Sequence, residues 1–106
     1  MTTGELTRKV ALQTAQRLPD GGGGFETTWQ DVTELYARID RAETEEIPER
    51  GGRVTRRRCR LTVLHRADIA PGQRLLEGLT AYNILSLRDI DGRRVYLEII
   101  AEVEGG

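Results

Sequence analysis

The sequence predicts an all-β fold of about six strands, a small β-barrel or a sandwich, with one long loop between the second and third strands. Three observations carry that expectation. Asp91-Gly92 sits between two apolar-patterned runs, and an Asp-Gly pair supplies the positive φ angles a tight hairpin turn needs. On the returning run, Val95, Leu97, Ile99, Ala101 and Val103 alternate with Arg94, Tyr96, Glu98 and Glu102, with one lapse at Ile100. A period of two marks one buried face and one solvated or partner-facing face. The remaining runs are short and separated by Gly- and Pro-containing turns, as in a small barrel or sandwich.

Residues 1–106 fit a single domain with one modest core. Hydrophobic residues make up 38% and aromatics only one Trp, one Phe and three Tyr, so the core is thin and aliphatic, of the kind oligomerisation often supports. A formal net charge of −1 excludes a generally basic, nucleic-acid-coating protein but leaves room for a local basic patch. Cys59 is the only cysteine and His65 the only histidine, so neither an internal disulfide nor a metal cluster is expected. Cys59 shares its parity with Leu61 and Val63 and reads as a small core residue. No charged-then-apolar leader and no apolar run near the roughly 18 residues of a membrane span is present, so the expectation is a soluble chain made in a reducing compartment.

In order, Met1–Glu5 reads as a flexible arm and Leu6–Gln13 as a first strand. Leu18-Pro19-Asp20 and the four glycines after it form a loop. A phosphate cradle there lacks both a following Lys-Ser/Thr pair and a helix N-terminus. From Phe25 to Arg41, Trp29, Leu35, Ala37 and Ile39 share one parity, with Val32 and Tyr36 on the other. A helix through Val32, Leu35, Tyr36 and Ile39 also fits, but the β-forming Thr27, Thr28, Trp29, Val32 and Thr33 favour a strand covered on both faces for part of its length.

Residues 42–53 change character: Glu43, Glu45, Glu46 and Glu49 surround Ile47-Pro48, followed by Arg50 and Gly51-Gly52. They read as a long acidic loop, either solvated or functional. Val54–Leu64 is the next strand, with Arg56, Arg58 and Arg60 projecting from one side. This strip is an ordinary solvated face or one paired with the acidic loop, or else it faces a phosphate backbone or an acidic partner. It lacks the interleaved aromatics that single-strand binders stack on bases. Ala70-Pro71-Gly72 turns the chain toward Arg74-Leu75-Leu76, Glu77-Gly78-Leu79 turns it again, and Thr80–Arg88 pairs with Arg93–Val103. Catalysis needs groups gathered around a perturbed base, and neither His65, Cys59 nor the scattered serines show such a motif, so no enzyme and no cofactor is expected.

Four pieces of sequence together resemble the bacteriophage head-tail joining family, also called head completion, stopper or head-tail adaptor proteins, with counterparts in prophages and gene transfer agents. They are the turn Leu18–Phe25 leading to Trp29; the run Trp29, Val32, Tyr36, Ala37, Ile39; the run Asp68, Ile69, Pro71, Gly72, Arg74; and Tyr82–Asp89 with Gly92–Arg94 and Leu97-Glu98. Many relatives carry a Gly-Arg-Glu-like element after the second strand, where this chain has Ala42–Pro48.

The resemblance implies a small β-barrel of about six strands, a structural virion protein assembled in the bacterial host cytoplasm into a homo-oligomeric ring, hexameric or dodecameric, at the head-tail connector of a phage-like particle. The ring would contact the portal or adaptor ring and tail proteins, complete the filled head, retain double-stranded DNA without reading its sequence, and dock the tail. It implies that the loop carrying Glu43, Glu45, Glu46, Ile47, Pro48, Glu49 and Arg50 reaches into the channel, where acidic groups repel phosphates and let DNA slide. Arg56, Arg58 and Arg60 would then pair with a neighbouring subunit or the adaptor. The alternatives are a tail terminator ring and an oligonucleotide-binding barrel.

Overall fold

Every strand of the structure, a computed structural model describing residues 3–40 and 42–105, belongs to one antiparallel sheet. In chain order the strands are β1 (Arg8–Pro19), β2 (Phe25–Ile39), β3 (Glu43–Glu49), β4 (Gly52–Leu64), β5 (Arg74–Glu77), β6 (Thr80–Asp89) and β7 (Tyr96–Gly105). Their lateral order is β2-β1-β5-β6-β7-β4-β3. Of the expected flexible arm, Met1 and Thr2 lie outside the described residues, while Thr3–Glu5 forms a single 3-10 turn. Arg41, placed by the sequence at the end of the second strand, also lies outside them.

This corrects the expected six-stranded barrel. The sheet has seven strands among the described residues, and its pairing does not close into a barrel wall. β3 is a free edge beyond β4, and β2 meets β4 over only three pairs: Ala37–Val63, Arg38–Thr62 and Ile39–Leu61. Among the described residues, the outer edge of β2 is therefore unpaired from Phe25 to Tyr36. Closure needs a staggered ladder continuous around the sheet, whereas β2 pairs with β1 along the whole of β1 and with β4 over only three residues. The sheet curls and its two sides touch along this short seam.

The core lies inside the curl and is aliphatic, as the composition implies. Val10, Leu12, Leu61, Val63, Leu75 and Ile99 are fully buried, joined by Ala37, Cys59, Ile84, Leu97 and Ala101, with Tyr82 the one buried aromatic among the described residues. Each buried Leu, Ile or Val contributes about 1.5–3 kcal/mol relative to exposure, so this set is what holds the curl shut. Cys59, 5% exposed, takes the core place its parity predicts, and burial pushes its thiol pKa up to about 11.

Two details depart from simple alternation. A bulge between Leu12 and Gln13 leaves Val32 unpaired on β2, so the parity that buries Ala37 does not continue to Trp29. Trp29 instead joins Gln13, Asp31 and Arg74: the Arg74 guanidinium stacks 4.2 Å from the indole centroid and its Nε donates to Gln13 Oε1 at 2.7 Å. Val32 and Tyr36 are 43% and 56% exposed, so this chain alone does not cover both faces of β2. At the other hairpin, Asp91 and Gly92 do take positive φ, 59° and 64°. The last β6–β7 pair is nevertheless Asp89–Leu97, and the connection is a 3-10 turn at Ile90–Gly92 followed by Arg93, Arg94 and Val95. Val95 lies in that connection and is 46% exposed, off the buried face predicted for it.

Candidate functional site

Residues 42–53 are the second correction: they are not a loop. Glu43–Glu49 is strand β3, joined to β4 through Arg50-Gly51, with Glu49 opposite Gly52. Gly51 makes the tight connection possible, since its φ of +91° is one that side chains with a Cβ rarely adopt. Glu is a poor strand former and Pro48 cannot donate to a ladder. Both are tolerated because β3 is an edge strand with β4 as its single partner among the described residues.

β4 pairs with β7 only from Arg58 onward. The six pairs from Thr44–Arg57 to Glu49–Gly52 therefore form a two-stranded ribbon that extends beyond the rest of the sheet. Isolated two-stranded ribbons are marginal in water. Here charge on the outer face reinforces the backbone ladder. Arg56 Nη2 donates to Glu49 Oε1 at 3.0 Å and its Nη1 to Glu102 Oε1 at 2.8 Å. Arg58 Nη1 lies 3.4 Å from Glu45 Oε2, and Arg60 Nε 3.5 Å from Glu98 Oε2. Glu98 also takes Arg88 at 3.2 Å, and on the opposite face Arg53 pairs with Glu46 at 3.4 Å.

The register explains the pattern. Glu43 and Glu45 face Arg58 and Arg56 across β3–β4, while Glu102 and Glu98 face Arg58 and Thr62 across β4–β7. Arg56 and Arg58 thus sit between carboxylates of β3 and β7, while Arg60, beyond the β3–β4 ladder, faces Ile100 and reaches Glu98. The Arg56 pKa is raised, first by its hydrogen bond to Glu49 and next by that to Glu102. Arg58 Nε is buried without a hydrogen-bond partner.

The structure therefore brings the two sequence-predicted groups together in part: Arg56 and Arg58 pair with Glu49 and Glu45 of β3, while Arg60 pairs with Glu98 of β7. Over residues 43–58 the four glutamates are matched by Arg50, Arg53, Arg56, Arg57 and Arg58, so the folded ribbon is not an acidic projection. Sequence reasoning misses Glu98 and Glu102 as partners because only the β4–β7 register reveals them. A local signal for β3 is present: Glu-x-Glu and Arg-x-Arg-x-Arg flank Gly51-Gly52 with the spacing of a cross-strand charge ladder.

A second ribbon projects the opposite way. Thr14–Pro19 and Phe25–Gln30 pair only with each other beyond the bulge. Because β2 and β4 are antiparallel, the β1–β2 tip and the β3–β4 tip point in opposite directions. The Asp20 carboxylate accepts the Gly22 and Gly24 amides and fixes the glycine tip, and Arg17 stacks 4.7 Å from the Phe25 ring centroid. Among the described residues no cluster of three or more His, Cys, Asp or Glu is arranged to hold a metal ion.

Comparison with known proteins agrees with this architecture. A search of curated proteins finds no match. Among solved structures, a chain of the virion of a native gene transfer agent particle superimposes with a TM-score of 0.73 at 25% identity, covering 95% of this chain and 97% of that one. Protein SF1141 from Shigella flexneri 2a shares the fold, with a TM-score of 0.62 at 23% identity and 95% of each chain covered. The family described as phage head completion protein matches residues 1–104. Neither a tail terminator nor an oligonucleotide-binding domain is the family matched. The chain belongs to the phage head completion protein family, structural virion proteins of the head-tail connector in phage-like particles.

Proposed function

We propose that copies of this chain assemble into a ring, of six or twelve subunits, that completes the filled head, and that the β3–β4 ribbon of each copy reaches into the DNA channel. The observation that carries this reading is the ribbon itself: six residue pairs stand clear of the sheet and are stiffened by Arg56 bridging Glu49 and Glu102. A stiff projection can obstruct a channel without sealing it. Its mixed charges also suit contact with DNA that must later move: Arg50, Arg53 and Arg57 offer phosphates weak, sequence-independent attraction, and the paired glutamates prevent tight adhesion.

In this reading the portal or adaptor ring and the tail are protein partners, and DNA is a passing cargo. Because Arg56, Arg58 and Arg60 each have a carboxylate partner within the chain, any role they play at a subunit or adaptor interface requires partner exchange or sharing. Truncation tests the ribbon. Residues 46–55 are removed and Glu45 is joined to Arg56 through Asn-Gly, which suits the short hairpin turn the register then requires. Heads carrying this variant are expected to fill and then lose DNA, measured as DNA per particle. Incorporation of the variant with DNA content unchanged would overturn the assignment.

A further inference from the structure

We infer that the mouth of the curl, at the base of the β3–β4 ribbon, is a docking site for one carboxylate, that of a Glu or Asp side chain on an acidic segment of a partner protein, with Arg57 as its counter-ion. The inference goes beyond the ribbon reading and rests only on the assembly of this chain with other proteins in the connector. The mouth is a polar cavity of about 350 Å³, walled by residues of β1, β2, β4, β5, β6 and β7.

The sequence puts a cation there. On β4 one parity enters the core: Val63 and Leu61 are fully buried, and Cys59 is 5% exposed. Arg57 is the next residue of that parity, so alternation turns its side chain to the inner face, where it lines the cavity together with Cys59 and stays open to solvent. Tyr82, another lining residue, is only 7% exposed. The Arg57 charge reaches both the Cys59 thiol and the Tyr82 phenol, opposing the rise that burial gives each pKa.

Charge around the mouth leaves this guanidinium over. Arg8 holds Glu77 through both carboxylate oxygens, with Nε donating to Oε2 at 2.7 Å and Nη2 to Oε1. Asp40 is paired with Arg38 at 3.2 Å. The other arginines of β4, Arg53, Arg56, Arg58 and Arg60, each have a carboxylate within the chain. Arg57 has none among the described residues, and Thr44 faces it on β3. The two pairs at the mouth cancel, one positive charge remains, and a single carboxylate balances it.

The recess selects the form of the anion. A guanidinium takes a carboxylate in two parallel hydrogen bonds, and partial removal from water strengthens them. Duplex DNA carries one charge per about 1.7 Å of axis and is too wide to follow Arg57 into the cavity, and Glu77 and Asp40 on the walls repel a row of phosphates. Arg57 thus adds to the field that draws phosphates toward the ribbon without touching them. A free small carboxylate gains little from one open guanidinium. On a protein already held nearby, the same contact forms at high effective concentration and adds to the joint.

The test is NMR titration of the isotope-labelled full chain with the blocked peptides acetyl-Gly-Glu-Gly-amide and acetyl-Gly-Gln-Gly-amide, inorganic phosphate and a short DNA duplex, read at the Arg57 side chain and the Cys59 and Tyr82 amides. Saturable shifts are expected with the Glu peptide, with affinity about tenfold lower for the Gln peptide and for the Arg57→Gln chain. Equal affinity for the two peptides, or a Glu-peptide affinity unchanged in Arg57→Gln, overturns the site. Tighter saturation by phosphate or duplex than by the Glu peptide also overturns it, in favour of DNA. In particles, Arg57→Gln is expected to keep the wild-type unfolding midpoint and to be incorporated about fivefold less, with Arg57→Lys recovering part of the loss. Incorporation of Arg57→Gln at the wild-type level overturns the protein partner.

Discussion

Arg56 Nη1 donates to Glu102 Oε1 at 2.8 Å, across 46 residues of chain, while its Nη2 holds Glu49 at 3.0 Å. One guanidinium therefore ties the projecting β3–β4 ribbon to the last strand of the sheet. Exposed pairs of this kind are screened by solvent and contribute little to global stability. Arg56→Ala is expected to leave the midpoint of global unfolding nearly unchanged in denaturant titration. The larger effect is local: amide exchange over Thr44–Glu49 should speed up while the core strands stay protected. Arg56→Lys should recover part of that protection, because an ammonium lacks the fork that reaches both carboxylates. Unchanged ribbon exchange in Arg56→Ala would show that the backbone ladder alone stiffens the hairpin.

The Gln13 amide is the next point of sensitivity. Its Nε2 donates to Asp31 Oδ1 at 2.7 Å and its Oε1 accepts from Arg74, which stacks on Trp29. Gln13→Leu leaves both charged groups without that partner in a half-buried site, and a loss of about 1–3 kcal/mol is expected in unfolding experiments. Trp29 is the only tryptophan, so its emission reports this site directly. A shift in emission before global unfolding is expected in the variant and not in the wild type.

Stability should also fall at alkaline pH. The Cys59 thiol has its pKa raised from 9.0 to about 11 by burial, with the Arg57 charge opposing and Asp40 adding to the rise. Below pH 9 the thiol is neutral in both folded and unfolded chains and contributes no pH dependence. Between pH 9 and about 11 the unfolded chain loses its proton first, so stability declines as pH rises through that window. Burial raises the Tyr82 pKa as well, with the same sign. Cys59→Ala is therefore expected to flatten part of the decline, read from denaturation midpoints at pH 8, 9, 10 and 11. An identical pH profile in the variant would assign the whole decline to Tyr82 and other groups.

The core of the curl should respond as a packed interior. Leu61 is fully buried and pairs with Ile39 across the seam and with Ile99 on β7. Leu61→Ala should cost about 2–5 kcal/mol, measured by urea unfolding. A loss below about 1 kcal/mol would mean that the seam collapses readily into the space left.

The sheet is legible in sequence where one face is buried, because a single parity then carries the core. Leu97, Ile99 and Ala101 on β7, and Cys59, Leu61 and Val63 on β4, are all buried as their alternation predicts. β3 is not legible by the same rule, since neither face of an edge ribbon enters the core and its residues are Glu, Thr, Ile and Pro. Its strand character resides in pairing with Arg56 and Arg58, which is a register and not a hydrophobic pattern. Alternation puts Trp29 on the wrong face because one unpaired residue, Val32, reverses the parity without any mark in composition. The failure of the barrel to close has a similar origin. Sequence marks where most strands run, but the three-pair length of the β2–β4 seam depends on how far each strand extends past its neighbour.

The position of the β3–β4 ribbon in the assembled particle is the most direct test of the account, and electron cryo-microscopy of the intact connector measures it. The expected map shows a ring of this chain below the filled head, with the Arg50-Gly51 tips directed at the channel axis. A ring whose tips point outward, away from the DNA, would contradict it.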